Sequence, residues 1–168
     1  MNEAQKLWWE QAKSDHAAFV FLRRGGVHEC HVLHYLQMAS EKISKAYLWR
    51  SGTPPPRSHV GLMRFLRALL GRRGAESNRI ARLFEFGRSR DMSVWVTQVG
   101  PLAYALQNLA PAEANDGPNP EYPWPHEIPR HCPAAHSFEL WTQLRDHTQG
   151  RNLLRFIERA IGRFGEYA

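Results

Sequence analysis

Apolar residues recur along most of this chain at steps of three and four, the spacing that places them on one side of a helix. The clearest case is the stretch 29–52, where Val32, Leu36, Ala39, Ile43 and Ala46 form a single seam. Glu41 and Lys45 stand one turn apart on its flank, in the order that favours a helical ion pair. Gly52 and the three prolines after it end the pattern. An earlier stripe of Trp8, Ala12, Asp15, Phe19 and Leu22 predicts a first helix over 3–22. Arg23-Arg24-Gly25-Gly26 closes it, with basic residues suited to a helix C-terminus and glycine as the left-handed cap. Asp15 interrupts the apolar stripe, so it should meet a donor from a neighbouring helix, because an unpaired buried carboxylate is costly.

Beyond the prolines, Ser58 reads as the N-cap of a third helix that turns Leu62, Phe65, Leu66 and Leu69 inward. Gly71-Arg72-Arg73-Gly74 breaks it, and Ile80, Leu83 and Phe84 predict a short helix after the break. Another helix spans 93–109, with a bend expected at Gly100-Pro101. The segment 110–133 then holds seven prolines, which predicts an extended loop pinned by Tyr122 and Trp124. Helical spacing returns over 134–164 with Phe138, Trp141 and Leu144, pauses near Gly150, and resumes with Leu153, Leu154, Ile157 and Ile161. No strand-like alternation persists and no repeat is visible. The expected architecture is an all-α antiparallel helical bundle, one domain over 1–168, with a long proline-rich loop before the last helix.

The chain has 168 residues, 43% hydrophobic and 11% aromatic, which is enough to build a core and argues against global disorder. No run of about 18 apolar residues is present, so no membrane span is expected. The first residues read as a polar helix start rather than a signal peptide. Two cysteines, Cys30 and Cys132, are too few for a disulfide scaffold and point to the reducing cytoplasm.

Charge changes the picture more than composition does. The window 57–90 holds nine arginines against Glu76 and Glu85, a balance of +7 in a chain whose total is +6. Arg57, Arg64, Arg67, Arg72, Arg73, Arg79 and Arg82 are therefore candidate nucleic-acid contacts, to RNA or to a nucleotide-bearing partner, since the guanidinium fork suits bidentate bonding to phosphate. A solvated helix face is the equally weighted alternative. Arg151, Arg155, Arg159 and Arg163 form a ladder at one-turn spacing, read first as the wet side of an amphipathic helix and second as another phosphate-binding stripe. His28, Cys30, His31 and His34, and again His131, Cys132 and His136, approach metal-ligand spacing. Without a C-x2-C pair they read as a core cysteine and polar histidines, and no metal or cofactor is assigned. No P-loop, dinucleotide turn or nucleophile elbow is present.

Trp9, Ala12, Asp15 and Ala18 form a W-x2-A-x2-D-x2-A pattern. Gln37, Ala39, Glu41, Lys42, Lys45 and Ala46 follow as Q-x-A-x-E-K-x-x-K-A, and Tyr122-Pro123 precedes the last helical segment. In these features, and in the short helical segment over 54–66, the chain resembles the HEPN family of small helical-bundle proteins. The resemblance implies an antiparallel bundle, commonly homodimeric. It also implies one of two roles: a metal-independent ribonuclease of the toxin or defence type, or a non-catalytic module that binds a partner such as a nucleotidyltransferase or an antitoxin. The nuclease members carry an R-x4-6-H motif, and Arg130 to His136 matches it with five residues between. On that reading His136 acts as acid or base, Arg130 clamps the phosphate, and His131 adds a polar contact. Pro133 lies inside the motif, and because proline suits the first turn of a helix, Arg130 is expected in the loop ahead of it.

Overall fold

Asn2 begins the first helix, α1 (Glu3–Arg24), through a reciprocal cap: its side chain accepts from the Gln5 amide at 2.8 Å and its own amide donates to the Gln5 side chain at 3.0 Å. Arg23 and Arg24 sit in the last turn, and Gly26 takes the left-handed conformation (φ +66°) that lets the chain reverse. The return helix, α2 (Glu29–Leu48), packs against α1 along its length as an antiparallel hairpin. Val32, Leu36, Ala39, Ile43 and Ala46 are at most 3% exposed, so the apolar seam is core. Each of its larger side chains contributes ~2 kcal/mol. Asp15 is buried and accepts from Lys42 at 2.5 Å and from Gln11 at 3.0 Å, which supplies the interhelical donor its position requires. Lys45 donates to Glu41 at 2.5 Å, one turn away.

The computed structural model describes residues 1–49, 54–55, 61–109 and 117–167, and among them the chain is all-α, with eight helices and no strand. Gly52, Ser58 and Arg57 lie outside the described residues. Helix α3 (Gly61–Leu70) sets its first turn against α2, where a Cβ on Gly61 would come within 3.3 Å of Ser44 and 3.4 Å of the Glu41 carbonyl. Leu62, Phe65, Leu66 and Leu69 all face in. Helix α4 (Gly74–Leu83) follows, and α5 (Ser89–Gln107) starts earlier than its apolar spacing indicates, because the Asp91 carboxylate accepts from the Arg88 amide at 3.0 Å and caps the turn. Pro101 lies inside α5, which continues through it as one helix.

Polar bonds join these helices across the core. Gln37 donates to the Gln107 carbonyl at 3.1 Å, and the Gln107 side chain accepts from the Met63 amide at 3.1 Å, so α2, α3 and α5 share one buried amide network. The Tyr47 hydroxyl donates to the Ala160 carbonyl at 2.9 Å, and burial pushes its ionisation well above the usual range. Around it Phe65, Phe84, Phe156, Phe164 and Trp95 form a continuous aromatic cluster, with ring centroids as close as 4.4 Å.

Residues 117–132 carry no helix. Trp124 is buried and anchors this segment, but Tyr122 is 58% exposed and does not. The second anchor is Asn119, buried, whose side chain accepts from the amides of Glu121 and Tyr122 at 2.8 and 3.1 Å. A 3-10 turn over Pro133–Ala135 leads to α6 (Glu139–Asp146), α7 (Thr148–Gly162) and α8 (Phe164–Tyr167). The break between α6 and α7 falls at His147, not at Gly150, which lies in the first turn of α7. Gly150 is there because a Cβ would lie 2.1 Å from the Gln143 carbonyl oxygen and 2.4 Å from Leu144 Cα. Backbone meets backbone at this corner, and no other residue type fits. No helix among the described residues is long and apolar enough to cross a membrane.

Candidate functional site

The arginine window takes its exposure from the inward pattern of α3 and α4. With Leu62, Phe65, Leu66 and Leu69 packed, Arg64 and Arg67 stand on the outer side of α3, three residues apart and exposed. Gly74 at φ +59° opens α4 directly after Arg73, and burial of Ile80, Ala81 and Leu83 leaves Arg79 and Arg82 outward. Two of the set are engaged: Arg72 pairs with Glu76 at 3.1 Å and donates to the Tyr167 hydroxyl at 3.4 Å, while Arg79 donates to the Glu166 carbonyl at 3.4 Å. Arg64, Arg67, Arg73 and Arg82 make no ion pair or hydrogen bond among the described residues. Both acids of the window are occupied, Glu76 by Arg72 and Glu85 by Arg159 of α7. The free charge of this surface is therefore uncompensated locally.

The second predicted group gathers on Trp124. The Trp124 amide donates to the His131 carbonyl at 3.2 Å, and the Arg130 and His131 amides both donate to the Trp124 carbonyl at 3.0 Å, which closes a tight loop. The closure stacks the His131 ring on Trp124 at 5.4 Å and sets the His136 ring edge-on to it at 4.9 Å. His131 and His136 thereby come to 6.4 Å between ring centroids, and Phe138 supports His136 at 4.8 Å. Arg130 lies in the loop as Pro133 requires; its side chain is exposed and meets neither histidine. His136 follows the 3-10 turn in extended backbone and is not on a helix. The structure thus joins the two histidines and leaves the arginine beside them.

Among the described residues no group of three or more His, Cys, Asp or Glu side chains is placed to hold a metal ion. Cys30 is buried, and burial pushes its thiol up; Cys132 is exposed. His34 Nδ1 lies 2.8 Å from a Glu121 carboxylate oxygen, which ties the loop to α2.

The ladder on α7 divides. Arg159 pairs with Glu85, and Arg163 bonds Glu166 at 2.7 and 2.9 Å and the Leu83 carbonyl at 2.7 Å. Arg151 and Arg155 instead line a cleft of about 630 Å³ between the C-terminal end of α1 and the α6–α7 corner, together with Arg23, Arg24 and Arg145. Its apolar wall is Phe19, Val20, Trp141 and Leu154. Sequence reasoning missed this convergence: Arg23 and Arg24 read as capping residues, and Arg151 and Arg155 as a solvated face. The signal was the unused cationic residues at the ends of two helices, which no local pattern joins. No family model, curated protein or solved structure matches the chain.

Proposed function

We propose that this chain is a HEPN-like helical module that binds RNA through the outer face of α3 and α4. The observation that carries the reading is that Arg64, Arg67, Arg73 and Arg82 are exposed and unpaired among the described residues while the window's two carboxylates are taken by other arginines, Glu76 by Arg72 and Glu85 by Arg159. Such an arrangement attracts phosphate by releasing counterions and carries little base specificity. The resemblance gains support from the pairing of its two motif helices, since Asp15 of the first pattern bonds Lys42 of the second. His131 and His136, side by side on Trp124, are the groups that would exchange protons with a ribose 2′-hydroxyl and a leaving oxygen, with Arg130 beside them for the phosphate.

A second reading, binding without cleavage, is favoured by one feature: Arg130 reaches neither histidine, and the segment from Arg130 to His136 is not helical. Incubation of the purified protein with RNA in excess chelator separates the two. Cleavage that His136→Ala abolishes supports the ribonuclease; retained binding with intact RNA supports the module. Absence of both binding and cleavage overturns the proposal.

A further inference from the structure

The residues that follow α4 meet α5 and α7 around a second cavity, of about 180 Å³, and Arg155 borders both it and the larger cleft. Its wall is aromatic, built from Phe84, Phe86, Trp95 and Phe156. Ring centroids of Phe84 and Phe156 stand 4.7 Å apart, those of Phe156 and Trp95 4.8 Å, and those of Trp95 and Phe86 5.2 Å. Beside rings packed this closely, an open space is room that the core has left unfilled. Its volume of about 180 Å³ is close to the ~150 Å³ at which an apolar cavity takes up one benzene ring. It falls short of the ~300 Å³ and more that larger ligands occupy. The Trp95 indole N–H has no hydrogen-bond partner among the described residues, whereas that of Trp9 donates to the Ile161 carbonyl at 2.7 Å. Trp95 is only 7% exposed, yet its nitrogen is not among the enclosed atoms that lack a partner, so this donor reaches solvent.

One face of α7 supplies the rim. Asn152, Arg155 and Arg159 follow one another at steps of three and four and all line the cavity. Arg155 donates to the Asn152 side-chain oxygen at 2.7 Å, which orients the guanidinium and leaves the Asn152 amide nitrogen without a partner among the described residues. A guanidinium has five N–H donors, so most of the bonding capacity of Arg155 is open. Arg159 pairs with Glu85, the one carboxylate of the lining. Two arginines against one acid leave the rim cationic beside an apolar wall.

Glu85 gives this rim a second mark. It holds the left-handed backbone conformation, φ +63°, at a position where glycine would close α4 without strain. What glutamate adds over glycine is its side chain, and that side chain goes to Arg159. The pair is partly exposed, with 55% of Glu85 and 35% of Arg159 open to solvent, and such a pair contributes less than the backbone conformation costs. Stability alone therefore does not explain the residue. Its effect is to hold the Arg159 guanidinium beside the cavity, and strain kept at a cavity rim is a mark of a site.

We propose that the cavity between the end of α4, α5 and α7 binds a small aromatic monocarboxylate, its single ring against the Phe86–Trp95–Phe156 wall and its carboxylate on Arg155 and Arg159. The site is separate from the α3–α4 surface and does not depend on the RNA-binding reading. Proton–nitrogen NMR of the full chain tests it through the tryptophan indole signals, that of Trp95 identified by its loss in Trp95→Phe. The probes are phenylacetate, its neutral analogue phenylacetamide, and acetate, which has the charge without the ring. Phenylacetate should shift the Trp95 signal saturably with a dissociation constant below about 1 mM. Phenylacetamide and acetate should each bind at least about tenfold more weakly, the first lacking the charge-assisted bonds and the second the buried ring. Arg155→Gln and Arg159→Gln should each weaken phenylacetate about tenfold, the loss of one charge-assisted bond. Arg151→Gln, which borders only the larger cleft, should leave it unchanged. Circular dichroism and the unfolding midpoint check that the variants fold, and the three probes on the wild-type chain test the proposal without them. It is overturned by no saturable shift of the Trp95 signal, by phenylacetamide or acetate binding as tightly as phenylacetate, or by affinity indifferent to both Arg155→Gln and Arg159→Gln. A shift confined to the Trp141 signal would put the ligand in the larger cleft and overturn it equally.

Discussion

Gly150→Ala should break the corner between α6 and α7. A Cβ built at Gly150 lies 2.1 Å from the Gln143 oxygen, 2.4 Å from Leu144 Cα and 2.7 Å from the Leu144 oxygen. All three are backbone atoms, so no side-chain rotation relieves the clash. Relief requires the two helices to part by about 1 Å, to reach the separation at which such atoms attract rather than repel. Leu144 and Leu153, both fully buried, would lose close contacts as the helices part. We expect a loss of about 3 kcal/mol, at the upper end of over-packing effects. Gly162→Ala is the matched control: it lies at the end of the same helix with nothing within 4 Å of its Cβ position, so alanine should be neutral or stabilise by up to ~1 kcal/mol. Urea unfolding followed by circular dichroism reads both. A Gly150→Ala protein within about 0.5 kcal/mol of wild type would refute the close-approach argument.

Helix α4 ends with Phe86 donating to the Ala81 carbonyl at 2.8 Å and Glu85 to Arg82 at 3.0 Å, a Schellman cap whose left-handed residue, usually glycine, is Glu85 at φ +63°. Glu85→Gly should therefore raise stability by ~1 kcal/mol when measured in an Arg159→Gln background, where its ion pair is already absent; a loss there would contradict the strain argument. Burial, opposed by Glu158 and aided by Arg23, holds the His16 pKa below 6.5 in the folded protein. The unfolded chain then binds a proton at a higher pH than the folded one does. His16 therefore adds no penalty above pH 6.5, and stability falls as pH drops from there through the folded value. NMR titration should show the lowered midpoint, and His16→Gln should flatten that part of the stability profile; a midpoint at or above 6.5 would contradict it.

Much of the fold was readable because helical periodicity reports burial directly. The α2 seam is buried to the last residue, and Asp15 announced its partner by being a carboxylate on an apolar stripe. What escaped was tertiary. Gly150 looked like a pause, since glycine's local weakness as a helix former and its role where two backbones touch leave the same mark in a sequence. Tyr122 looked like an anchor because aromatic residues usually are, but the short side chain of Asn119, able to bond its own backbone, holds the loop. The two histidines were found with their arginine, though only the histidines meet. The α1–α6–α7 cleft was invisible because each arginine has a sufficient local explanation, and only the packing of α1 against α7 brings them together.

The proposed engagement of RNA phosphates by the α3–α4 arginines is read out by the salt dependence of RNA affinity. Four contacts to single-stranded RNA predict that log K falls against log salt with a slope of about −3. Arg64→Gln with Arg67→Gln should make that slope shallower by about 1.4 and weaken binding alike for unrelated sequences. A slope near zero, or one unchanged by the double substitution, would contradict the claim.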